Sequence, residues 1–325
     1  MIILLGVITF GAYNFITREY SDIRSKYILD TIVEISASSK SKTISSDIES
    51  VFAYIASLQK KLDEYDPQSL ISQINSSEEE HFEMDPDIYE LLKISEELYD
   101  LSEGSFDPTI KPVWDLWDFA AEEPSPPDSI QISQSLQKVG FSRLSYDHDA
   151  LYKPSDMQIT FGAISKGYIL DKAKAFMQEK GLSKGFINSR SSMCFFGYKI
   201  SPLIYIQHPR SSDESIASLK IPNQSVGTSG DYQQYFEHDG DRYHHILDAH
   251  TGYPVRNVFS VTVISDTAAI ADGLSTALFT IDPDIAMQII GLREDTNAII
   301  YYLQGDSIVS LKSEGIKNLH FKEKL

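Results

Sequence analysis

Two residue periodicities alternate along the chain, with glycine and proline marking the boundaries between them. KYILDTIVEISA, beginning at Lys26, is rich in β-branched residues and predicts an opening strand. SSDIESVFAYIASLQKKLDEYD follows, with Ile48, Val51, Phe52, Ile55 and Leu58 along one helical stripe. A second helix is predicted over DPDIYELLKISEELYDLSEG: Asp85 offers an N-cap oxygen, Pro86 suits the first helical position, and Gly104 supplies the stop. The Pro- and acid-rich AAEEPSPPDSIQ reads as an exposed excursion, followed by a short helix and then a hairpin in RLSYDHDALYKPSDMQITFG. The helical pattern returns from Ile164 to Lys180 and stops at Gly181, while GFINSRSSMCFFGYK, PLIYIQHP and FSVTVISD are strand-like. Strands and helices do not alternate regularly, so the expected fold is α+β, with mixed, largely antiparallel sheets and packed helices. No repeat occurs at a solenoid period.

The chain has 325 residues, 42% of them hydrophobic and 11% aromatic, enough for a substantial core without covalent staples. A formal net charge of −19 with no basic stripe argues against nucleic acid as a partner. The single cysteine, Cys194, excludes an intramolecular disulfide and reads as a small buried hydrophobe. MIILLGVITFGAYNFITREY places about 15 mostly apolar residues before Arg18, short of a comfortable span but suited to a signal or anchor. Residues 1–20 are therefore expected to form a signal or membrane-anchor segment, and 27–325 the folded domain.

Candidate chemistry falls in four places. In TAAIADGLSTALFTI, Asp272 and Thr276 are four residues apart, on one face of a helix capped by Asp266 or Thr267. A carboxylate and a hydroxyl so placed are hard oxygen ligands of the kind Mg²⁺ accepts. TFGAISKGYILD has two glycines at Walker spacing, but Lys166 precedes the second one, so no Walker loop forms. TSGDYQQYFEHDGDRYHHILDAHTGYP begins with what reads as an anion-binding turn and contains His244 and His245, which point to opposite faces of a strand and cannot close one zinc site. His245, or Asp231, remains as a candidate proton acceptor. Trp114 and Trp117, in EGSFDPTIKPVWDLWDF, suit either a pocket wall or a core.

Five blocks in order, DEYDPQSLISQIN, GSFDPTIKPVWDLWDF, GAISKGYILD, the histidine-bearing segment and ADGLSTALF, resemble the ApbE family of FAD:protein FMN transferases. The resemblance implies a single α+β domain that uses Mg²⁺ and FAD, moving FMN onto a Thr or Ser hydroxyl of an acceptor and releasing AMP. It implies Asp272, Thr276 and the Ala163 carbonyl as metal ligands, with Ser275 as a further contributor. It also implies Leu29, Ser105, Phe106, Asp107, Thr160, Lys166 and Ile246 as FAD contacts. The implied acceptor carries an FMN-binding domain of a membrane electron-transfer system. The implied location is the extracytoplasmic side of a bacterial envelope, anchored at the inner membrane. The chain departs from the family pattern at Ser189-Arg190-Ser191, where Ala-Gly-Gly is common, at Thr160, where aspartate is usual, and at Leu29-Asp30, where Met-Gly is usual. An FAD-binding or FAD-hydrolysing relative without protein transfer, and a zinc-dependent hydrolase, are the competing readings.

Overall fold

The computed structural model describes residues 18–324, so the expected signal or anchor segment lies outside the described residues but for its last three. Eight strands form the main sheet: β1 (Tyr20–Ile28), β2 (Thr31–Ser39), β3 (Lys184–Asn188), β4 (Ser192–Phe196), β5 (Ser225–Gly230), β6 (Val258–Ser265), β7 (Asn297–Gln304) and β8 (Ser307–Lys312). They lie side by side in chain order, each antiparallel to its neighbours. The helices are α1 (Ile44–Leu62), α2 (Leu70–Ser76), α3 (Pro86–Leu101), α4 (Lys111–Trp117), α5 (Ser129–Leu136), α6 (Ser165–Glu179), α7 (Ala268–Ala277) and α8 (Pro283–Gly291). The first six belong to one long excursion between β2 and β3.

Strand alternation distributes the central strands over two cores. Val261 and Val263 of β6 and Ala298 and Ile300 of β7 join the larger core with α1, α3, α6 and α7. Ile264, Ile299 and Tyr301 join a smaller core with the strands Leu203–His208 and Ser211–Lys220. Burial on both faces accounts for unbroken apolar runs such as Ala298 to Tyr301. The stripe on α1 is buried as its spacing predicts, as are Ile44 and Leu62. Asp85 caps α3 with its side chain, and Pro86 stands at the first helical position. Cys194 is fully buried.

The expected opening strand is in fact a hairpin. Its two-residue turn consists of Leu29 and Asp30, at φ 57° and 56°, the double left-handed geometry of a type I′ turn. That geometry usually calls for Asn-Gly, which is why the sequence conceals it. Leu29 is held there by its amide, which donates to Gln59 Oε1 at 3.1 Å, and by burial of its side chain. Asp30 is exposed and has no such compensation. Replacing Asp30 by Gly should raise stability by up to about 1 kcal/mol, read as a higher urea midpoint at unchanged m.

Candidate active site

Two helices that cap each other build the site. Asp272, on α7, accepts the Gly167 amide in the first turn of α6 at 2.9 Å through Oδ2. Asp171, on α6, accepts the Ala268 and Ala269 amides in the first turn of α7 at 2.9 and 2.8 Å. Each carboxylate satisfies amides that a helix start leaves unpaired and meets the positive end of the other helix's dipole. Thr267 is the N-cap of α7 and accepts the Ile270 amide. The glycine at 167 is required: a Cβ there would lie 2.2 Å from the Ala268 carbonyl oxygen and 2.8 Å from Asp272 Cβ. Gly167→Ala should therefore push α6 from α7, costing about 2–3 kcal/mol in a denaturant titration. Because the Gly167 amide turns to Asp272, no backbone amide among the described residues reaches the carbonyl of Ala163, a residue that lines the cleft.

The hydroxyls below Asp272 have a defined direction. Ser275 donates to the Asp272 carbonyl at 2.7 Å, so it must accept from Ser229, 2.8 Å away. Ser229 has then given its proton, and Thr276, at 3.0 Å, donates to it. Thr276 thus turns its oxygen lone pairs away from this chain of bonds. Ser192 donates to Asp272 Oδ1 at 2.7 Å. Burial pushes the Asp272 carboxyl above the usual range, opposed by the Lys166 charge and by the bonds from Ser192 and Gly167.

A cleft of about 340 Å³ opens over these groups. It is lined by Ala163, Lys166, Asp272 and Thr276 on one side, and by Leu29, Phe106, Thr160, His245 and Ile246 elsewhere. His245 donates its amide and its Nδ1 proton to the Gln234 carbonyl, both at 3.1 Å, leaving Nε2 as the acceptor. Trp114 Nε1 fixes the same segment by donating to the His245 carbonyl at 3.1 Å. Burial, with His244 and Lys166 adding to it, lowers the His245 pKa to about 4, so the ring is neutral at pH 7. His244 is fully occupied: Nε2 donates to the Val255 carbonyl at 2.7 Å, and Nδ1 accepts the Ile246 amide.

Several sequence expectations are corrected. Asp231 does not line the cleft; Arg210 grips both of its oxygens at 2.8 and 2.7 Å, so it is not an available base. Thr228, Ser229 and Gly230 end a central strand, paired with Ser260–Thr262 of β6, instead of forming an anion-binding turn, and both hydroxyl residues line the cleft. Ser275 acts beneath Thr276 and does not line the cleft. Ser105 also stands outside the lining; its carbonyl anchors Ala249. Asp107 lines the cleft, where its Oδ1 accepts the Thr109 amide and hydroxyl and its Oδ2 the Phe141 amide. Arg190, at φ 70°, takes the left-handed place a glycine would suit, yet it is exposed and does not obstruct the cleft. Its neighbour Ser191 does line it, with a buried Oγ that has no hydrogen-bond partner among the described residues. The two tryptophans divide the roles the sequence left open: Trp114 walls the cleft and Trp117 is core.

The described residues form an antiparallel α+β domain whose cleft is walled by a carboxylate, hydroxyls, a lysine and a neutral histidine beside apolar residues. The chain belongs to the ApbE family, whose model matches residues 29–300. It is 32% identical over 229 residues to an FAD:protein FMN transferase of Klebsiella pneumoniae, covering 69% of this chain and 71% of that protein. It is 26% identical over 288 residues to the one from Haemophilus influenzae, covering 83% and 82%. The crystal structure of the ApbE protein from Thermotoga maritima superimposes with a TM-score of 0.84 at 29% identity, covering 92% of this chain and 99% of that one. The flavinyl transferase ApbE from Pseudomonas stutzeri, in its apo form, gives 0.81 at 25% identity, covering 93% and 97%.

Proposed function

We propose that this protein transfers FMN from FAD to a Thr or Ser hydroxyl of an acceptor protein, with Mg²⁺ as cofactor and AMP as the leaving product. Family membership and the names of its relatives support the transfer. The observation that carries the chemistry is the placing of Asp272, Thr276 and the free Ala163 carbonyl around the same cleft as His245. These groups, with the unpartnered Ser191 Oγ beside them, suit a hard divalent ion that keeps waters and phosphate oxygens as its remaining ligands. When bound, such an ion would neutralise charge on the diphosphate and on the departing phosphate.

The chain's own residues supply the rest. Lys166 sets a positive charge against the dianionic diphosphate, which would otherwise repel an incoming oxygen. The Gly167 amide, the Ser192 hydroxyl and the Lys166 charge favour the ionised form of Asp272 against burial, and the Ser275–Ser229 relay orients Thr276. His245 Nε2 takes the proton as the acceptor oxygen bonds to the FMN phosphorus, while the bridging P–O bond breaks and AMP leaves with its oxygen. The acceptor, a protein with an FMN-binding domain of a membrane electron-transfer system, belongs to the same proposal. So does an extracytoplasmic location at a bacterial inner membrane, supported by the apolar residues before Arg18.

Incubating the protein with FAD, Mg²⁺ and an acceptor domain should raise the acceptor's mass by one FMN residue and release AMP. Release of AMP and FMN with an unmodified acceptor would instead show hydrolysis without transfer.

A further inference from the structure

The strongest unexplained group in the cleft is the Glu64 carboxyl. Of the buried side-chain polar atoms without a hydrogen-bond partner among the described residues, only Glu64 Oε2 and Ser191 Oγ belong to residues lining the cleft. Glu64 sits in the turn between α1 and α2, its carbonyl fixed by Ser72 Oγ at 2.9 Å. No ion pair among the described residues engages its carboxyl: Lys111, whose charge reaches it, is paired with Asp115 at 2.9 Å and lies over the Tyr65 ring. Burial pushes the Glu64 pKa up, opposed first by the Lys111 charge and then by the hydroxyls of Thr160, which accepts the Gly162 amide, and Tyr65. The neighbouring walls are flat and apolar, with Trp114 and Tyr65 rings 6.3 Å apart and Ile246 nearby.

A buried acceptor without a donor is costly unless a ligand supplies one. We infer that Glu64 is a specificity-determining residue that accepts a hydrogen bond from an N–H on the edge of a planar heterocycle seated against Trp114 and Tyr65. This rests on the proposed use of FAD. The dinucleotide carries two such edges, the adenine amino group and the flavin imide, which share this chemistry.

Isothermal titration of wild type, Glu64→Gln and Glu64→Leu with FAD, with ADP as the adenine half and with FMN as the flavin half distinguishes the sources. Glu64→Leu should weaken FAD and one of the two halves by about tenfold or more and leave the other within about threefold, with Glu64→Gln losing less. The half that weakens identifies the ring. The ligand-free thermal midpoint of Glu64→Leu should hold or rise, because an unpartnered carboxyl has been removed. Wild-type binding of FAD with Glu64→Leu unchanged toward all three ligands overturns this assignment alone, as does equal weakening of both halves, which marks a disturbed cleft. A wild type that binds none of the three overturns it together with the reading on which it rests.

Discussion

Asp272→Ala should abolish flavin transfer, lowering the rate by about a thousandfold or more, since it removes the only carboxylate among the proposed metal ligands. The alanine also strips the cap from α6, so Asp272→Asn is the sharper variant. Its amide can still accept the Gly167 amide and meet Ser192, but it carries no charge. Transfer should be lost in both variants, while ligand-free stability should separate them. Burial raises the Asp272 pKa in the folded state, so the ionised carboxylate destabilises the fold without metal. The folded state holds this proton to higher pH than the unfolded chain, whose aspartate titrates near about 3.9. Wild-type stability should therefore fall relative to Asp272→Asn as pH rises from that value through the raised one. Thermal midpoints across this window check the sign, and Mg²⁺ should close the gap by binding wild type alone.

His245→Ala should lower the turnover of transfer by about 10²–10⁴-fold while leaving FAD affinity within a few-fold, a split expected when a proton acceptor is removed and the nucleotide contacts remain. With the pKa lowered to about 4, the wild-type rate should show no rising limb near pH 6.5; its acid limb should lie near 4 and vanish in the variant. The stability linkage has the opposite sense to that of Asp272. The neutral ring favours the fold fully above the unfolded value of about 6.5, and that contribution is lost as pH falls toward 4. The thermal midpoint of His245→Gln should accordingly fall less than wild type's over this range. Retained transfer in His245→Ala would remove the histidine from the proton path.

Much of the architecture is legible in the chain because local signals agree with tertiary demands. The stripe on α1, the Asp85-Pro86 start of α3 and the Gly181 stop of α6 each rest on a short-range cause and appear in the structure. The Asp272–Thr276 pairing is likewise written in helical spacing, and both residues reach the cleft. What escapes sequence reasoning depends on partners distant in the chain. The Leu29-Asp30 turn lacks turn residues because Gln59 and core burial hold it. Thr228-Ser229-Gly230 resembles a turn by composition, but pairing with Ser260–Thr262 of β6 makes it the end of a strand. Asp231 looks like a base until Arg210, more than twenty residues earlier, is seen to hold it. The mutual capping of α6 and α7 spans about a hundred residues, and Gly167, a glycine in the first turn of α6, hints at the close approach. Glu64 belongs to no motif and becomes notable only through the absence of a partner.

The most direct measurement of the central claim is a crystal structure of the protein with FAD and Mn²⁺, in which anomalous scattering locates the ion. The peak should lie within ligand distance of an Asp272 oxygen, Thr276 Oγ1 and the Ala163 carbonyl, with diphosphate oxygens completing the shell. An ion bound elsewhere, or a dinucleotide whose diphosphate lies away from Asp272 and Lys166, would contradict it.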